Sequence, residues 1–215
     1  MMTARERWLA VLNGDPPDRI PMDYWSTTEA TALLQQHLGV ATDREMLERL
    51  HIDRPITVGP DYIGPEPATG EDIFGCRHRL VDYGTGAYSE CVHHPLAAYG
   101  SVDEIEADYA WPDADWYDYG NLPGQLLGWE DYPVRGGGSE PFLVYKKLRG
   151  QEQSFIDLIE HPDIVDYCLD RLFGLARENT TRIYEALPGR VDISYVAEDM
   201  GGQENLMLSL VHLRR

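Results

Sequence analysis

Apolar residues recur at helical spacing through the first fifty positions: Trp8, Leu9 and Leu12, then Ala30, Leu33, Leu34 and Leu38, then Met46, Leu47 and Leu50. Steps of three and four place each set on one side of a helix. A hydroxyl residue three positions ahead of a glutamate marks where such helices start, because each side chain satisfies an otherwise orphan backbone N–H. The pairs are Thr3/Glu6, Ser26/Glu29, Thr42/Glu45 and Ser101/Glu104, and Gly14 and Gly39 mark the first two helix ends. Shorter apolar runs predict strands at residues 20–25, 55–58, 142–145 and 191–196. Residues 74–92 predict a β-hairpin turning at Gly84-Thr85-Gly86.

The second half alternates these runs with longer helices. One helix, over residues 154–160, stops before His161-Pro162, because the residue ahead of a proline is pushed out of the helical region. A long helix follows, carrying Ile164, Val165, Cys168, Leu169, Leu172, Phe173 and Ala176, until Pro188-Gly189 ends it. Helices alternating with strands predict parallel βα units. Residues 101–119 hold seven acidic residues and no basic one, which predicts a short helix and an irregular acidic connection. No internal repeat or low-complexity linker interrupts the chain, so a single domain over residues 1–215 is expected. Residues 1–120 would supply helices and the hairpin, and residues 121–215 the first βα units.

Composition narrows the partners. With 37 acidic against 18 basic residues the net charge is −19, which repels nucleic acid and anionic membranes and opposes a polyanionic substrate. No run approaches the roughly 18 apolar residues of a membrane span, and the first residues lack a secretory pattern. Three cysteines argue against a disulfide framework and for a reducing compartment, the cytoplasm. A small-molecule substrate is the expected partner, with neither nucleic acid nor membrane.

Open parallel sheets place reactive groups at the C-terminal ends of their strands. Asp61 and Tyr62 follow the strand at 55–58, Tyr145 ends the one at 142–145, and Glu198 and Asp199 follow the one at 191–196, just ahead of Gly201-Gly202. Asp61 and Asp199 are therefore the candidate catalytic residues, and Tyr62, Tyr145 and Glu198 the candidate substrate-binding residues. Both aspartates also suit simple turn caps. The hairpin carries a competing set: with Tyr83 opposite Gly86, Cys76 would face His93 and His78 would face Cys91, a Cys₂His₂ group of zinc-binding type. Gly136-Gly137-Gly138 lacks a following Lys-Ser/Thr and reads as a flexible loop, not a phosphate-binding loop.

The order of several short motifs resembles the uroporphyrinogen-decarboxylase family. They are Arg5-Glu6-Arg7, Leu12-Asn13-Gly14, Pro17-Asp18-Arg19-Ile20-Pro21, Asp72-Ile73-Phe74-Gly75, His94-Pro95-Leu96, Trp111-Pro112-Asp113, Leu148-Arg149-Gly150, His161-Pro162 and the stretch from Glu198 to Ser209. The resemblance implies a (β/α)₈ barrel with extra N-terminal helices. It also implies a lyase-type enzyme acting, without a cofactor, on a tetrapyrrole or related substrate as in porphyrin biosynthesis. Asp61 then corresponds to the aspartate that holds the pyrrole N–H groups, and Tyr145 to the site tyrosine. Asp199 falls where the decarboxylases have serine.

The same resemblance admits an alternative, a corrinoid-dependent methyltransferase of that fold, with zinc or a corrinoid as cofactor and a corrinoid protein as partner. The decarboxylases grip substrate carboxylates with arginines after their first strand, and here Met22-Asp23-Tyr24-Trp25-Ser26-Thr27 contains none. That departure favours the methyltransferase branch over the N-terminal half, although its zinc ligands come from later strands. A complete barrel takes about 250 residues and eight strands, against the four strands read here. The family pattern also breaks after Ser209. The expectation is a C-terminally truncated, partial barrel, an enzyme or a catalytically incomplete remnant, whose open edges would aggregate or form a homodimer.

Overall fold

In a computed structural model that describes residues 1–213, helix α1 (Ala4–Asn13) begins at Thr3 and Glu6 with both hydrogen bonds of the expected cap. Helix α2 (Thr28–Leu38) starts one residue later than expected, because Ser26 donates to the Thr27 carbonyl and the Thr27 hydroxyl becomes the cap. Helix α3 (Asp43–Arg49) carries the reciprocal Thr42/Glu45 cap. Residues 20–25 form no strand. Their tether is Asp53, whose carboxylate accepts the Met22 N–H and whose own N–H donates to the Met22 carbonyl. Asp53 is buried between the guanidinium groups of Arg7 and Arg19, so this link is an ionic knot where a strand ladder was expected.

Strand β1 (Ile56–Val58) leads into the short β2 (Asp61–Tyr62), and the hairpin follows as β3 (Arg77–Asp82) and β4 (Ala87–His93). Helix α4 (Val102–Asp108) is capped by Ser101, but the Glu104 carboxylate turns to the Gly100 N–H instead of completing the reciprocal bond. A 3₁₀ turn (Ala114–Trp116), β5 (Tyr117–Asp118) and α5 (Leu122–Gln125) complete the acidic connection.

Next come β6 (Val134–Ser139), α6 (Pro141–Arg149), α7 (Gln151–Glu160), α8 (Pro162–Ala186), β7 (Ile193–Val196) and α9 (Leu210–Leu213). The run at 142–145 is thus helical, not a strand. Pro141 presets the first turn, and Phe142, Tyr145 and Leu148, three apart, bury one helix face. The strand lies just upstream, in the glycine-rich stretch expected to be a loop. Tertiary contact explains the glycines. A Cβ on Gly137 would sit 2.6 Å from the Thr180 side chain of α8, and one on Gly138 would sit 1.8 Å from the Tyr195 carbonyl of β7, with both residues at positive φ.

The result is a mixed α/β fold around a three-stranded parallel sheet ordered β1-β6-β7. Thr57 pairs with Arg135 and Arg135 with Ile193, and a bulge then brings Gly138 opposite Tyr195. Strands β2 and β5 form a small antiparallel pair, and β3 and β4 form the hairpin. The long helix α8 serves two cores. Its first half packs Ile164, Val165 and Cys168 with Tyr145, Leu148 and Leu96, and its last turns place Ile183 on Val58 and Val134 of the sheet.

Within the first core Arg149 and Asp157 form a buried pair at 2.7 Å. Tyr145 and Gln153 also donate to Asp157, while the free guanidinium edge of Arg149 donates to the Leu96 and Tyr99 carbonyls. No helix among the described residues is long and apolar enough to cross a membrane. The off-pattern ending expected over residues 210–215 falls partly on Arg214 and Arg215, which lie outside the described residues.

Candidate functional site

A parallel ladder puts the C-terminal ends of β1, β6 and β7 along one edge, with β1 and β7 about 10 Å apart on either side of β6. Asp61 lies just past β1. It is exposed, stands opposite Asp118 in the β2–β5 pair, and accepts a hydrogen bond from the Asn121 amide at 3.3 Å. Tyr62 beside it spends its hydroxyl on the Pro65 carbonyl at 2.6 Å and its ring on Trp116 and Tyr117. Glu198 lies just past β7. Its two oxygens accept the Phe142 and Leu143 N–H groups at 2.6 and 3.0 Å, so it caps the start of α6. Burial pushes its pKa above the usual carboxylate range, against the pull of those two donors. Asp199 is exposed, and its carbonyl lies 3.5 Å from the Lys146 ammonium.

These residues share an edge, but no hydrogen bond or ion pair among the described residues joins Asp61 to Glu198 or Asp199. Tyr145 does not end a strand. It is fully buried on α6, donates to Asp157 at 2.7 Å, and burial raises its pKa further above the tyrosine range.

The hairpin turns as expected, and His78 does face Cys91. A bulge at Arg77/His78 then places Arg77, not Cys76, opposite His93, because one slipped residue changes every pair beyond it. His78 instead meets Asp72 at 2.9 Å, and the Cys76 and Cys91 thiols turn to the Lys147 carbonyl. Among the described residues no group of three or more His, Cys, Asp or Glu side chains is arranged to hold a metal ion. Burial raises the Cys76 thiol well above its ordinary pKa and that of Cys168 to about 12, so both stay protonated.

The sheet has one face under α8 and one face open. On the open face Arg135 donates through Nε and Nη2 to the Thr57 hydroxyl at 3.1 and 2.8 Å. Its guanidinium carbon lies 5.3 Å from the ring centre of Trp25 and 5.6 Å from that of Tyr195, and the two rings are 5.8 Å apart. Among the described residues no carboxylate approaches Arg135 within 4 Å. A cavity of about 450 Å³ opens beside it, bounded by residues 23–26, Thr31, Asp43, Arg54, Thr57 and Trp129.

In fold, the chain resembles a methyltransferase from Methanosarcina mazei. The two superpose with a TM-score of 0.61 at 18% identity, over 100% of this chain and 64% of that one. The chain therefore spans less than two thirds of that protein's length, and at such identity the likeness is one of fold. No family model matches the sequence, and no curated protein matches it.

The sequence reading missed Arg135 and the cavity. The available signal was the alternation Val134-Arg135-Gly136: in a strand that buries Val134, the next side chain must emerge on the other face. Chemically the open face offers a cation set against two aromatic rings, and the strand-end edge offers carboxylates, of which Asp61 and Asp199 are the exposed ones.

Proposed function

We propose that this chain is a methyltransferase-type protein built as part of a (β/α)₈ barrel, holding a small-molecule substrate against the open face of its parallel sheet. The fold likeness to a methyltransferase along the whole of this chain carries the reading. Asp61 and Asp199 at the strand ends are the candidate proton-accepting groups, and Glu198 fixes the α6 terminus beside them. Tetrapyrrole decarboxylation is the weaker reading. A substrate with many carboxylates needs several fixed cations. On the open face Arg54 is already paired with Asp43 at 3.1 Å, which among the described residues leaves Arg135 alone, in a chain of charge −19.

The described residues do not make up a zinc site, so no thiol activation by metal is assigned to them. That observation favours a second reading, a protein that binds substrate without turning it over. Incubation of the purified chain with methylcobalamin and a small thiol separates the possibilities. Methyl transfer predicts a methyl thioether above the protein-free background, at a rate lowered by Asp61→Ala. Saturable binding of the thiol or of methylcobalamin without product supports the second reading. Decarboxylation of uroporphyrinogen with no thioether overturns both.

A further inference from the structure

We propose that the cavity on the open face of the sheet binds a small monocarboxylate with a flat apolar body, anchored by Arg135. Three observations converge on it. The first is the state of the cation. Arg5, Arg7, Arg19, Arg149 and Arg182 each meet a carboxylate within 3 Å, as expected where acids outnumber bases two to one. Arg135 meets a threonine hydroxyl and two rings instead.

The second is the geometry of its free donors. Nε and one Nη2 proton are committed to Thr57. Of the five guanidinium protons this leaves two on Nη1 and one on Nη2, the pair of nitrogens that forms the outer fork. A fork of that kind matches the two oxygens of one carboxylate. Ring faces hold a guanidinium without using its in-plane N–H groups, so Trp25 and Tyr195 fix the plane and leave the fork open.

The third is the lining. Tyr24, Trp25 and Trp129 supply aromatic walls, and Ser26 and Thr31 supply hydroxyls. The two acids on the wall are already engaged. Asp23 accepts from the Tyr24 N–H and the Trp25 indole N–H, and Asp43 accepts from Arg54 and Gln35. Their charge still disfavours a second anionic group on the ligand, which sets the limit at one carboxylate.

This inference deepens the functional reading by naming a substrate class, and rests on it only in taking the open face as the substrate side. The test needs no turnover. Isothermal titration with benzoate, with its neutral amide benzamide and with inorganic phosphate should give saturable benzoate binding. Benzamide and phosphate should bind at least ten-fold more weakly. Arg135→Gln should weaken benzoate at least ten-fold and leave benzamide unchanged, and Arg135→Lys, which keeps the charge but loses the fork, should fall between. Thermal unfolding of each variant checks that the sheet is intact. Equal binding of benzoate and benzamide, benzoate affinity unchanged in Arg135→Gln and Arg135→Lys, or no saturable binding would overturn the proposal. A negative methyl-transfer assay leaves this measurement untouched, and a negative titration leaves methyl transfer open.

Discussion

Arg149 on α6 and Arg135 on β6 lie on consecutive elements, and their surroundings differ in every respect. Arg149 is buried, bound to Asp157 by two nitrogens and to two backbone carbonyls by a third. Four of its five N–H donors are used within the protein. Arg135 is half-exposed, rests on a hydroxyl and two rings, and keeps its outer fork free. The contrast separates a charge that organises a core from one that is available to a ligand. A chain this acidic could have supplied Arg135 with a carboxylate at small cost, as it did for Arg5, Arg7, Arg19, Arg149 and Arg182.

The largest expected effect lies at the buried pair. Arg149→Ala should destabilise the protein by about 3–5 kcal/mol, because Asp157 is left buried without its partner. Urea unfolding measures this, and a loss below about 1 kcal/mol would mean that the pair is dispensable. The acid limb of stability comes next. Hydrogen bonds from Arg149, Gln153 and Tyr145 outweigh burial and hold Asp157 below its ordinary pKa. A lowered folded pKa contributes stability that is complete above the unfolded value of about 3.9 and lost as pH falls through the folded one. Asp157→Asn should therefore flatten the loss of stability below about pH 4, read from unfolding midpoints across an acid series.

Smaller effects sharpen the contrast. Tyr145→Phe removes one hydrogen bond to a charged acceptor and should cost about 1.5 kcal/mol. Arg135→Gln should stay within about 0.5 kcal/mol of the parent protein in the same unfolding assay, in keeping with a half-exposed group that forms no ion pair among the described residues. A large loss would recast Arg135 as a structural residue. Asp61→Asn should leave stability unchanged, since its carboxylate is exposed and accepts a single 3.3 Å bond. Under the proposed function, the effect of Asp61→Ala is expected in the methyl-transfer rate.

Local chemistry made much of the fold legible. Caps at Thr3/Glu6 and Thr42/Glu45, the hairpin turn, the break at His161-Pro162 and the strand leading to Glu198 all rest on neighbouring residues, and all are present. What stayed hidden depends on distant ones. Phe142-Leu143-Val144-Tyr145 is apolar enough for either a strand or a buried helix, and the deciding feature, the Glu198 carboxylate on its first N–H groups, lies more than fifty residues away. Strand β6 shows no β-propensity because its glycines answer to α8 and β7. The strand-end acids were located by the same local rules that found their strands. Arg135 could not be found while its strand was taken for a loop.

The glycine run also sets what this molecule can become. Thr57, Trp25 and Tyr195 meet Arg135 through their side chains, so exchanging those side chains can retune what the open face accepts. Gly137 and Gly138 leave no room for a first carbon against Thr180 and Tyr195, so a side chain at either position would force the bend to shift. Diversity in relatives of this chain should therefore collect around a constant backbone bend, as lettering varies around an unchanging watermark.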